Sequence, residues 1–268
     1  MSTLRGSIIL VAFFAFTLAL MPVQAVLLAL QLPAARWLPC WYHRRIVRLV
    51  GLRLAVEGAI ERSRPVLIVA NHVSWLDIPA LSALAPLAFI AKREVGAWPF
   101  IGWLARLQRS VFVDRQDPRS AAAQTNVIAE RLAAGDTLVL FAEGTTGDGN
   151  AVLPFKSTLL AAAKRGRKSM PTTDEPPVVQ TLTIAYTHLH GLPLGRAGRP
   201  HVAWYGDMEV PGHAWKVLKS GPIDARITIG APVALEAFAD RKALANHAEK
   251  EVRERFAALL RPRPPTRS

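Results

Sequence analysis

Residues 6–35 carry no charge, and that run limits the fold more than any other feature of the chain. It contains Ile8-Ile9-Leu10-Val11-Ala12-Phe13-Phe14 and Val26-Leu27-Leu28-Ala29-Leu30. So apolar a segment has to be covered by protein or by lipid. Three arrangements would do this. One is a cleaved signal peptide, since Val23-Gln24-Ala25 offers small residues after an apolar stretch. The apolar residues continue well past that point, which argues against removal. The second is a single transmembrane helix. Pro22 interrupts it, and the part before the proline would span roughly 24 Å, short of a bilayer core of about 30 Å. A kinked helix running on to Leu32 would be long enough. The third is a helical hairpin, or a helix followed by an interfacial helix, dipping into one leaflet.

The flanking charges favour the third arrangement. Arg5 precedes the run, Arg36, Arg44, Arg45, Arg48 and Arg53 follow it, and the first acidic residue is Glu57. Basic residues at both ends keep both ends on the cytoplasmic side. Trp37, Trp41 and Tyr42 suit a membrane–water boundary, where an apolar ring carries a polar edge. Arg44, Arg45 and Arg48 share one helical face beside Ile46, Val47, Leu49 and Val50. Residues 1–51 are therefore expected to form a membrane-associated helical segment at the inner (cytoplasmic) membrane, with the rest of the chain facing the cytoplasm. The bland alternative is an ordinary helix with a solvated basic face.

Charge and cysteine content narrow the partners. The formal net charge is +13, which asks for an anionic partner, either nucleic acid or an anionic membrane surface. The positive mean hydropathy favours the membrane, and no nucleic-acid motif is present. The single cysteine, Cys40, excludes an intrachain disulfide and a cysteine metal cage. His188-Leu189-His190 has no carboxylate or cysteine at ligand spacing, so no metal is expected.

After Gly51 the pattern changes. Short apolar runs at 52–56, 66–70, 88–91, 111–113, 137–141, 179–185, 201–204 and 225–229 predict strands. Helical spacing appears at 78–84, 100–107, 119–134, 157–165 and 241–260. The alternation predicts an α/β domain over 52–260, a mixed sheet covered by helices. Residues 166–177 read as a polar loop, and 261–268, rich in proline and arginine, as a disordered tail.

The segment Asn71-His72-Val73-Ser74-Trp75-Leu76-Asp77 carries the strongest chemistry. It lies between an apolar strand and an apolar helix with Pro79 in its first turn, where α/β folds place ligand chemistry. A histidine can act as general base near neutral pH. A carboxylate beside it can fix its tautomer and balance the imidazolium. Spacing alone leaves an ordinary polar histidine and a helix-capping Asp77 open. Ser74 lacks the Gly-x-Ser-x-Gly elbow of a hydrolase nucleophile.

This segment resembles the His-x4-Asp motif of the glycerolipid acyltransferases, the family that includes lysophosphatidic acid acyltransferase. Further blocks match in the same order. Lys92-Arg93-Glu94-Val95 with Trp98-Pro99-Phe100-Ile101-Gly102 resembles the approach to the second motif, and Phe112-Val113-Asp114-Arg115 the motif itself. Phe141-Ala142-Glu143-Gly144-Thr145 resembles the Phe-Pro-Glu-Gly-Thr motif, with Ala142 replacing proline, and Leu153-Pro154-Phe155-Lys156 continues it. The match covers roughly residues 52–190. The resemblance implies that His72 takes the proton from an acceptor hydroxyl, which attacks an acyl thioester on coenzyme A or acyl carrier protein. Asp77 orients His72, and no cofactor is needed. It also implies that Lys92, Arg115, Glu143, Gly144, Thr145 and Thr146 lie on the acceptor side.

Two departures bear on the acceptor. Many lysophosphatidic acid acyltransferases continue the third motif with an arginine able to hold a phosphate; here the residue is Thr146. The Val-Pro-Val of a fourth block is replaced by Val178-Val179-Gln180-Thr181-Leu182. Together with Trp204-Tyr205-Gly206-Asp207-Met208, these departures resemble the lyso-ornithine lipid acyltransferase branch, whose acceptor has no phosphate. That acceptor is favoured over 1-acylglycerol-3-phosphate, for which Lys92, Arg115 and Lys156 remain available. A basic membrane-binding protein without catalysis is the alternative from a different class, and it gives the four ordered blocks no role.

Overall fold

The computed structural model describes residues 2–114, 121–160 and 176–261. The apolar run forms one helix, α1 (Ser2–Ala29), which continues through Pro22. A turn with Gln31 at φ 52° reverses the chain into α2 (Ala34–Val50). With 28 residues, α1 extends about 42 Å, more than a bilayer core of about 30 Å. Pro22 costs the helix one hydrogen bond, and contacts on both sides of it keep the helix whole. Before it, Thr17 Oγ1 pairs with the Tyr42 hydroxyl at 2.7 Å. After it, Gln24 Nε2 donates to the carbonyls of Ala35 and Leu107, both at 2.9 Å.

The exposure of α1 is inverted relative to a helix of a water-soluble domain. Gly6, Ile9, Thr17 and Gln24 face the body, while Leu4, Ile8, Val11, Leu18 and Val26 point away from it. Arg5 also faces inward, donating to the carbonyls of Leu218 and Val50. Thr17, the Gln24 amide nitrogen and Arg5 thus bond to protein, and the outward face is left apolar over a length able to meet lipid. Tyr42 departs from its expected place at the membrane boundary. Its ring stacks on Phe16 at 5.6 Å inside the α1–α2 contact, and burial pushes its hydroxyl up to about 12. Trp37 and Trp41 do stand exposed, as do Arg44, Arg45 and Arg48. The other side of α2 buries Cys40, Ile46, Val47 and Val50.

The strands are β1 (Leu52–Glu57), β2 (Val66–Ala70), β3 (Ala88–Lys92), β4 (Val111–Val113), β5 (Thr137–Phe141), β6 (Val178–Leu189), β7 (Leu192–Pro193), β8 (Ile223–Ile229) and β9 (Val233–Ala234). Their order is β1-β8-β6-β2-β5-β3-β4, with β7 and β9 also pairing β6. The run from β6 to β4 is parallel, as is β1 with β8; β8 lies antiparallel to β6. All five residues of β2 are buried, as a strand covered on both faces requires. The covering helices are α3 (Asp77–Ser82), α4 (Ile101–Leu107), α5 (Ala121–Ala133), α6 (Val210–Ser220) and α7 (Arg241–Leu260).

One predicted strand fails and one helix was missed. Residues 201–204 do not form a strand. Pro200 lies in a 3-10 turn, Arg199–His201, and Val202 and Ala203 are buried beside the loop that follows β2 instead of joining the sheet. The amphipathic α6 was not anticipated, although Pro211 in its first turn and Gly221 after its end mark both boundaries. The disordered tail expected at 261–268 lies, apart from Arg261, outside the described residues.

The register sets the site. Ala70 at the end of β2 is opposite Phe141 at the end of β5 and Leu182 in β6. Both loops therefore leave the same edge of the sheet side by side, while β6 continues past them.

Candidate active site

The chain beyond β2 is fixed first by Asn71. Its Nδ2 donates to the carbonyl of Ile184 and its Oδ1 accepts from the Ile184 amide, both at 2.9 Å. The side chain thus continues the sheet by one backbone-like pair. His72 follows, and its ring lies flat on Phe141 with centroids 3.9 Å apart.

Asp77 is fully buried and accepts four hydrogen bonds. Oδ2 accepts from His72 Nδ1 at 2.7 Å, from the Val73 amide at 2.7 Å and from the Ser74 amide at 3.0 Å. Oδ1 accepts from the Tyr186 hydroxyl at 2.7 Å. The two amides precede Asp77 in the chain, so the carboxylate holds the loop and the imidazole; it does not cap the helix it begins. With Nδ1 engaged, His72 has Nε2 left for a reacting group, and its side chain is 17% exposed. An imidazole oriented by a buried carboxylate can remove a proton from a hydroxyl and stabilise the resulting imidazolium. Ser74 is fully buried, which removes it as a nucleophile open to substrate.

Tyr186 was missed by sequence reasoning. It lies in the continuation of β6 that pairs with β8, with its ring 3% exposed. Burial and the neighbouring Asp77 carboxylate raise its hydroxyl well above the usual range, so it stays a proton donor. A tyrosine in an apolar strand gives no sign in sequence of which carboxylate it meets.

Glu143, expected on the acceptor side, lies beneath the loop that carries His72 at 2% exposure. Oε1 accepts from the His72 amide at 2.7 Å and Oε2 from the Leu153 amide at 2.8 Å. Parallel pairing of Ala70 with Phe141 brings these positions together two residues later. Burial pushes the carboxyl up to about 7, against the lowering effect of the two amides. Gly144 takes φ 71°, a left-handed turn that favours glycine. Thr145 is exposed and Thr146 half-buried. Gly147 donates its amide to the His72 carbonyl at 3.0 Å, closing this loop against the one that carries His72.

Lys92 is exposed at the end of β3. Next to it a cleft of about 520 Å³ is lined by Arg93, Gly96, Arg106, Phe112 and Asp114, of which Arg93, Phe112 and Asp114 belong to the second block of the resemblance or its approach. Arg115 lies outside the described residues. Thr181, in the stretch that replaces the Val-Pro-Val of the fourth block, is buried away from the site, donating to Glu251 at 2.7 Å. Within the loop following β2, the Trp75 indole donates to His213 Nδ1 on α6 at 3.0 Å, tying the loop to that helix. The Trp204 amide also bonds the Val73 carbonyl at 2.9 Å.

Comparison with known proteins gives the family. Residues 53–183 match the family model described as Acyltransferase. Lyso-ornithine lipid O-acyltransferase of Brucella abortus is 44% identical over 96% of each chain. The enzyme of the same name from Rhizobium meliloti is 44% identical over 92% of this chain and 84% of its own. The 1-acyl-sn-glycerol-3-phosphate acyltransferase of Neisseria meningitidis is 30% identical over 79% of this chain and 80% of its own. A crystal structure of the 1-acyl-sn-glycerophosphate acyltransferase of Thermotoga maritima shares the fold, with a TM-score of 0.66 at 23% identity over 98% of this chain and 100% of that one.

Proposed function

The chain belongs to the acyltransferase family, and from that premise we propose that it esterifies the free hydroxyl of lyso-ornithine lipid with a fatty acyl group drawn from a thioester. The observation carrying the chemistry is the 2.7 Å bond between His72 Nδ1 and the buried Asp77. His72 Nε2 removes the acceptor's proton as its oxygen attacks the thioester carbonyl. The carbon–sulfur bond then breaks, and the leaving thiolate takes the proton from the imidazolium. One ester forms, one thiol is released, and His72 and Asp77 return to their starting states. Glu143, by holding the His72 backbone from below, keeps the ring in register with this path.

Acyl carrier protein and acyl-coenzyme A are both acidic donors, suited to a chain of net charge +13. Lys92 and Arg115 are assigned to the substrate side with Thr145 and Thr146. The apolar face of α1 and the exposed arginines of α2 fit an anionic membrane, with the site open to the cytoplasm at the inner membrane.

The second reading, a phosphate-bearing acceptor, draws on the Neisseria relative; Thr146 at the arginine position speaks against it. The test is acyl transfer by the full chain, offered lyso-ornithine lipid and lysophosphatidic acid in the same vesicles at one salt concentration. Faster acylation of lyso-ornithine lipid is expected. A preference for lysophosphatidic acid would reassign the acceptor, and thioester hydrolysis without transfer to either would remove the transferase reading.

A further inference from the structure

Of the groups assigned to the substrate side, Lys92, Arg115, Thr145 and Thr146 offer no negative charge to a head group that carries an ammonium. Three stretches of chain meet beside the catalytic loop. Gly147 is bonded to the His72 carbonyl and Trp204 to the Val73 carbonyl. Between them Gly149, at φ 80°, is so closely packed that a Cβ there would lie 3.3 Å from Val73 Cγ1 and 3.4 Å from Arg199 Cβ. Asp148 and Arg199 therefore sit in one cluster with the segment that carries His72, and both are half-buried.

Their charges are held apart by a spacer. The Asp148 carboxylate accepts from the Asn150 backbone amide at 2.9 Å and from Asn150 Nδ2 at 3.0 Å. Asn150 Oδ1 accepts from Arg199 Nη1 at 2.9 Å. One amide thus touches a carboxylate on one side and a guanidinium on the other. Arg196 is exposed and close enough to act electrostatically on both. The bonds from Asn150 hold the Asp148 carboxyl below its usual range, so it is ionised at neutral pH. A guanidinium stays protonated there.

We propose that Asp148 and Arg199, spaced by Asn150, form a two-sign clamp for a zwitterionic lipid head group, Asp148 taking a primary ammonium and Arg199 with Arg196 a carboxylate. The proposal rests on the acceptor assigned above and names the residues that recognise it. Ornithine linked through its α-nitrogen keeps one ammonium and one carboxylate. A phosphate monoester carries negative charge alone. Asp148 therefore attracts the first and repels the second, whereas arginines attract both. A lipid gripped by its head group here presents its free hydroxyl to the loop carrying His72.

The same contacts would also shape the loop in a protein that ignored the ammonium, and the acceptor's own chemistry separates the two cases. The full chain is assayed in vesicles with lyso-ornithine lipid, the same lipid acetylated on its side-chain amine, and lysophosphatidic acid. Wild type should lose at least about tenfold in kcat/KM when the amine is blocked, the worth of a charge-assisted hydrogen bond. Asp148→Asn should lose a similar factor on the native lipid, lose nothing further on the acetylated one, and gain on lysophosphatidic acid. Arg199→Gln should lose on all three acceptors, since each keeps a carboxylate or a phosphate. Indifference of the wild type to acetylation overturns the clamp alone, and does so even if Asp148→Asn fails to fold. An equal loss by Asp148→Asn on all three lipids overturns it in favour of loop shaping. A wild type that prefers lysophosphatidic acid overturns the acceptor assignment and the clamp with it.

Discussion

The Tyr186 hydroxyl donates to Asp77 Oδ1 at 2.7 Å, on the carboxylate oxygen that His72 does not use. His72, Asp77 and Tyr186 thus form a chain in which a buried phenol fixes the carboxylate that fixes the base. Replacing Tyr186 by Phe leaves Oδ1 buried without this donor, at a cost of roughly 1–3 kcal/mol. We expect kcat to fall about tenfold while KM for both substrates holds, and the loss to be smaller than in Asp77→Asn. Steady-state kinetics of the two variants decide this. A rise in KM at constant kcat would make Tyr186 a substrate-binding residue.

His72→Ala should reduce transfer by about 10²–10⁴-fold, the usual contribution of general base catalysis. The ring is partly exposed and the loop is held by Asp77 and Glu143, so the thermal midpoint should barely move. Asp77→Asn should cost both rate and stability, because the same carboxylate receives two backbone amides. Transfer at the wild-type rate by His72→Ala would remove it from the mechanism.

Glu143 makes stability depend on pH. Burial raises its carboxyl from 4.5 to about 7, so between those values the folded chain keeps a proton that the unfolded chain has released. Folding is then progressively less favourable as pH rises through this window, by up to about 3 kcal/mol at its upper end, with no contribution below it. Glu143→Gln cannot titrate and should flatten this dependence in thermal melts from pH 4 to 8. A difference between wild type and variant that is constant across that range would contradict the raised carboxyl.

The outward face of α1 should govern vesicle binding. Val11→Glu and Leu18→Glu place charge on its exposed row and should release the protein in flotation assays. Gln24→Leu removes two bonds to the body instead, and should loosen the fold while binding persists. Release by the Gln24 variant alone would mean that the body, not the helix face, meets the membrane.

Thr146→Arg should shift the acceptor ratio toward lysophosphatidic acid by about tenfold, since a guanidinium adds charge-assisted hydrogen bonds to phosphate. The comparison needs one membrane composition and one salt concentration, because surface charge gathers anionic lipids unspecifically. An unchanged ratio would place the head group away from Thr146.

Much of this was legible in the sequence because short-range signals carried it. The apolar runs of β2 and β5, the spacing of His72 and Asp77, and the blocks around Lys92 and Glu143 are all local. What escaped depends on register. Tyr186 reaches Asp77 only because β6 outruns β2, and Glu143 lies under His72 only because Ala70 pairs with Phe141. Tyr42 looked like a boundary residue until Phe16 and Thr17, a turn of α1, covered it. Val202 and Ala203 have strand composition, yet the loop after β2 took them before any strand could.

A helix that turns Thr17 and Gln24 inward and Leu4, Val11 and Leu18 outward also changes what concentration means for this catalyst. On the membrane reading, α1 confines the protein to the surface in which its lipid acceptor is dissolved, so encounters occur by lateral diffusion in two dimensions. Turnover should then follow the mole fraction of acceptor in the bilayer. Diluting the vesicles with buffer should leave it unchanged, while diluting the acceptor with inert lipid should slow it in proportion.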